Sequence, residues 1–262
     1  LLTIVTSEKC AVHGAALLQA VRACFQIHLI SRSTVNKTTA KAALTQMLSV
    51  TNARMETVDT ALRAKGVLPN DSRLETKEAG ADPELTAEKE GELADSPAKA
   101  GDKAEDKDRE KVGILVFPST EHKDAFLLFR AVCKLSMRGM HEDGGEVKDM
   151  IAFKNKVLSL ELLNHVLQTS GPAFRADHKF VYCVRSYLCV SLLSNCTSEV
   201  GQITGLSLQV FAVVMRCFRQ HLKSELEVFV TNIFLRLLES ENSTSDHKLK
   251  VIDVFHDICR DP

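Results

Sequence analysis

The sequence predicts an all-α protein, an α-solenoid of the armadillo or HEAT kind, with a compact helical bundle as the alternative. An acidic, disordered stretch is expected after an N-terminal helical hairpin. Three observations predict this. Apolar residues recur at helical spacing through two long blocks. Several of the implied helices are apolar on two sides, as in a stack with neighbours on both. With 12 Gly, 6 Pro and no Trp in 262 residues, the chain lacks the dense turn markers of a β-sandwich.

The first block runs from about residue 12 to 63. In 15–30, Leu18, Val21, Phe25 and Leu29 share one helix face, which Leu17, Cys24 and Ile27 widen. A polar, β-branched break follows at 31–35. Asn36 is the expected N-cap of a second helix over 37–62, with the stripe Ala40, Leu44, Met47, Leu48 and Met55. Two helices and a short turn make an αα-hairpin. Alone, such a hairpin buries too little to be stable. Leu18, Val21, Phe25, Leu44 and Met47 are therefore the candidate protein-interface residues, because an undocked hairpin would expose them.

From 64 to 111 the composition changes. That stretch holds 14 Asp+Glu, 9 Lys+Arg and no aromatic residue, too little apolar surface to offset chain entropy. It reads as a disordered acidic linker, and Ser96-Pro97 within it is a weak phosphorylation motif. The run 112–117 ends at Pro118, and either docks as extended chain or belongs to the linker. Helices are expected at about 121–138, 147–169, 177–195, 199–221, 223–240 and 245–260. Breaks fall at Gly139–Gly145 and Gly171-Pro172. Ser198, Ser224 and the tetrad Ser243–Asp246 are candidate caps. Val181, Val184, Leu188 and Leu192 line one side of 177–195, and Phe180, Cys183 and Tyr187 another. Likewise Ile203, Leu206, Val210, Val213 and Cys217 oppose Leu208, Phe211, Met215 and Phe218 in 199–221. The domain division expected is 1–63, 64–112 and 113–262.

The net charge of −1 and the absence of a basic stripe along the sequence argue against a nucleic-acid partner. Eight cysteines contain no C-x-x-C pair and sit mostly in apolar runs, as small core residues do. The first eleven residues do not read as a signal peptide. No run approaches the roughly 20 apolar residues of a membrane span. The sequons at Asn36, Asn70, Asn195 and Asn242 carry no weight in a chain read as cytoplasmic. No P-loop, dinucleotide fingerprint, zinc-protease helix, nucleophile elbow or EF-hand loop occurs. His141, Glu142 and Asp143 read as a solvated turn. His165, His178, His221, His247 and His256 are dispersed as surface or satisfied core histidines. Glu225 and Glu227 favour a helix dipole. No catalytic, cofactor or metal residue is assigned, and no cofactor is expected.

Longer strings carry a resemblance. LLQAVRACFQIHL (17–29), NKTTAKAALTQMLSV (36–50) and ARME (53–56) resemble the end of the DCB domain of the large brefeldin A-inhibited exchange factors for Arf, the BIG class. DAFLLFRAVCKLSM (124–137), KVLSLELLNHVLQTSGPAF (156–174), YLCVSLLSN (187–195), HLKSELEVFVTNIF (221–234) and DHKLKVIDVFHDIC (246–259) resemble, in order, the HUS domain that follows it. The family's exchange domain, its N-Y-D-C box and the upstream DCB helices have no counterpart here, so no catalytic residue carries over. The resemblance implies a non-catalytic regulatory region in Golgi and endosomal vesicle traffic. The partners it implies are Arf or Arf-like small GTPases, other regions of the same exchange factor, and a second copy through self-association. Protein partners would recruit it peripherally to trans-Golgi network and endosomal membranes. The alternative is a DCB/HUS-type trafficking scaffold without exchange activity.

Overall fold

The computed structural model describes residues 1–7, 9–10, 12–68, 116–139, 145–198, 200–239 and 244–260. Among these, every regular element is helical. The expected linker, from residue 69 on, and the turn at His141–Asp143 lie outside the described residues.

A short helix α1 (Leu2–Thr6) precedes α2 (Gly14–Ile30) and the 31-residue α3 (Thr34–Ala64). The sequence pattern did not reveal α1. Arg54 of α3 holds it by donating to the Val5 and Thr6 carbonyls at its C-terminal end, each at 3.0 Å. The α3 cap is Ser33, not Asn36. The helix starts at Thr34, three residues before the expected start at 37, and the Ser33 hydroxyl accepts the Asn36 N–H at 3.4 Å. At the far end, Gly66 has φ +70° and lets Val67 N–H reach the Leu62 carbonyl at 3.0 Å. This left-handed closure is one that a Cβ would strain.

The second block opens with Phe117, whose ring docks 5.2 Å from Phe126. Then come α4 (Thr120–Met137), α5 (Gly145–Gln168) and α6 (Pro172–Ala176). The one-turn α6 also escaped the periodicity, being too short to show any. Helices α7 (His178–Cys183) and α8 (Val190–Asn195) form one rod through a π-helical segment, Val184–Cys189. After α9 (Gly201–Phe218), a second rod joins α10 (Lys223–Phe229) and α11 (Leu235–Glu239) through the π segment Val230–Phe234. The last helix is α12 (Ser245–Arg260). Ser198 and Ser224 are not the caps expected. Val200 and Leu222 take those positions, and Ser224 instead donates to Glu225 within the first turn of α10. In the last tetrad Thr244 accepts the His247 N–H.

The helices stack in two layers. One holds α2, α4, the α7–α8 rod and the α10–α11 rod; the other holds α3, α5, α9 and α12. Both stripes of α9 are covered, with Ile203, Val210, Phe211 and Val214 fully buried. By length and composition the run Gly201–His221 is apolar enough to cross a membrane. Here α5, α8 and α12 cover it, which is why it is apolar all round. A ladder of rings runs through the second block: Phe126 to Phe180, Phe180 to Phe174 at 4.1 Å, and Phe174 to Phe129 and Phe218. Phe211, Phe229, Phe234 and Phe255 form a second ladder.

The buried cysteines are core residues. Burial pushes the thiols of Cys183, Cys189 and Cys196 up to about 12, so they stay protonated and unreactive at neutral pH.

Candidate functional site: the seam between the helical blocks

The hairpin α2–α3 does not stand apart. It packs on α4, α5 and α6, and one continuous core includes residues from both blocks. The strip Leu18, Val21, Phe25, Leu44 and Met47 faces inward. Leu44 and Met47 are fully buried, Val21 and Phe25 nearly so, and Leu18 is half-buried against the core. In this structure the strip is covered within the chain.

Polar groups cross the same seam, and two of them act as exchanged helix caps. Asp124, in the second turn of α4, accepts the Gly14 N–H at 2.8 Å and the His13 Nδ1–H at 2.6 Å. The α2 N-terminus has no cap of its own, so a carboxylate of the second block supplies it. Glu56 of α3 returns the arrangement. Its carboxylate accepts the N–H groups of Ala173 and Phe174 at 3.0 and 2.9 Å, capping α6. Glycines permit both approaches. Gly14 has φ +55°. A Cβ at Gly171 would stand 2.4 Å from the Glu56 carboxyl carbon, so a larger residue there must displace the capping carboxylate.

A line of three side chains, two of them buried, crosses the same seam. The Ser119 hydroxyl bonds His122 Nδ1 at 2.9 Å, and His122 Nε2–H donates to Asp59 at 3.3 Å. Arg63 donates to the other Asp59 oxygen at 2.5 Å. The order is that of a nucleophile, base and acid, but its setting is structural. His122 and Asp59 side chains are 3% and 9% exposed, and Ser119 caps α4 by accepting the His122 N–H. Further along, Ser49 bonds His165 Nε2 at 2.7 Å, and Lys41 pairs with Glu161 at 2.7 Å.

None of the capping or clamp residues stood out in the sequence. The signal was there for two of them. Asp59 extends the α3 stripe one turn beyond Met55, and His122 precedes Phe126 and Phe129 at i−4 and i−7 on the apolar face of α4. A polar side chain on a core stripe calls for a buried partner. Of the dispersed histidines, His165 is a seam residue and His178 is exposed. Glu225 does more than favour a dipole. Burial tends to raise its carboxyl, yet the bonds from Arg185, from backbone and from Ser224 hold it below the usual range. Among the described residues no cluster of three His, Cys, Asp or Glu groups converges as a metal site.

Inside the second block, Lys156 is 6% exposed and donates to Asn195 Oδ1 at 2.7 Å. Asn195 in turn donates to the Ser136 carbonyl and to the Ser191 hydroxyl. Desolvation lowers the Lys156 ammonium below its ordinary value. This network ties α5 to the ends of α4 and α8.

The caps make a direct expectation. Glu56→Ala should cost about 2 kcal/mol, the scale of charge-assisted bonds to a half-exposed carboxylate. Gly171→Ala should cost a similar amount by expelling the same carboxylate. The double variant should cost little more than either alone. Additive losses in chemical denaturation would contradict the shared cap.

An all-helical two-layer stack whose halves exchange caps defines an α-solenoid of two docked blocks. Its sequence matches two family models: "Mon2/Sec7/BIG1-like, HUS domain" over residues 121–262, and "Mon2/Sec7/BIG1-like, dimerisation and cyclophilin-binding domain" (DCB) over residues 1–59. The chain belongs to the Mon2/Sec7/BIG1-like family. Among curated relatives, brefeldin A-inhibited guanine nucleotide-exchange protein 1 of Rattus norvegicus is 28% identical over 402 residues, covering 100% of this chain and 22% of the relative. The protein of the same name in Arabidopsis thaliana is 31% identical over 286 residues, covering 100% of this chain and 16% of the relative. The ADP-ribosylation factor guanine nucleotide-exchange factor sec71 of Schizosaccharomyces pombe is 28% identical, with 100% and 15% covered. The chain thus spans about a fifth of the length of the first relatives it matches.

Proposed function

We propose that this chain is the regulatory DCB–HUS region of an Arf guanine-nucleotide exchange factor, acting through protein contacts and not through chemistry of its own. Its organisation is a DCB-like hairpin over 1–63, an acidic tether over 64–112 and a HUS-like block over 113–262. The observation that carries the reading is the seam. The segments matched by the two family models, 1–59 and 121–262, share one core and exchange helix caps across it. Such a rigid unit can pass a binding event on one block to the other.

The partners proposed are Arf or Arf-like GTPases, other regions of the parent exchange factor and a second copy of the chain. Recruitment to trans-Golgi network and endosomal membranes is peripheral, through those partners. The strip Leu18, Val21, Phe25, Leu44 and Met47 is proposed as an interface inside the chain. The test is nucleotide release. The purified chain should leave the rate of fluorescent GDP loss from an Arf at its spontaneous value. Catalytic acceleration at substoichiometric chain would overturn the regulatory reading.

A further inference from the structure

No further inference is drawn: the strongest candidate, the exposed apolar surface patch of Ile27, Ile30 and Val35 at the tip of the α2–α3 hairpin, is an unpartnered face, and nothing in the structure shows what covers it.

Discussion

Leu44→Asp should detach the N-terminal hairpin from the rest of the chain at a cost of about 5 kcal/mol. Two effects add. Leu44 is fully buried in the seam, and losing a core leucine costs about 2–5 kcal/mol by itself. The new carboxylate would enter the core on the stretch of α3 that Lys41–Glu161 and Ser49–His165 hold against α5, and an unpaired charge there costs several kcal/mol more unless it reaches water. Undocking is its route to water. The loss is therefore confined to α2 and α3, whose helicity should melt early, while the ladder of phenylalanines in the second block melts close to its original temperature. Circular dichroism on heating should show two transitions in place of one. A single unchanged transition would mean that Leu44 does not hold the seam.

Phe174→Ala attacks the other block. Its ring is fully buried, 4.1 Å from Phe180 and 5.0 Å from Phe129, with Phe218 at 6.3 Å. Removing it empties the junction of α4, α6, α7 and α9, for which core phenylalanine truncations cost about 4 kcal/mol. In a chain of this size that lowers the melting temperature by about 8–16 °C. The loss should reach the hairpin too, because Phe174 N–H is one of the two groups that Glu56 caps. A shift of only a degree or two, measured by calorimetry, would show that the ladder is not a shared core.

The helices of the second block were legible because each is long and its apolar residues repeat. The stripes in 177–195 and 199–221 are buried on both sides, as their spacing implies. What stayed hidden was short or non-local. Helices α1 and α6 have five residues each, less than the two turns over which a period shows. The π segments leave no mark, since Val184–Cys189 reads as ordinary apolar helix. The seam was invisible for a different reason. Asp124 caps a helix that begins 110 residues earlier, and Glu56 one that begins more than 100 residues later. Local patterns carry no information on such pairs. Asn36 suits a cap by residue type, whereas Ser33 holds the position because its backbone lies outside the helix.

Hairpin and second block form one docked unit, and hydrogen exchange on the intact chain tests this most directly. Amides of 40–60 in α3 should exchange as slowly as those of 121–136 in α4, since both open only when the shared core opens. Complete exchange of 40–60 while 121–136 remains protected would contradict the docked unit and leave the hairpin as an independent, loosely held element.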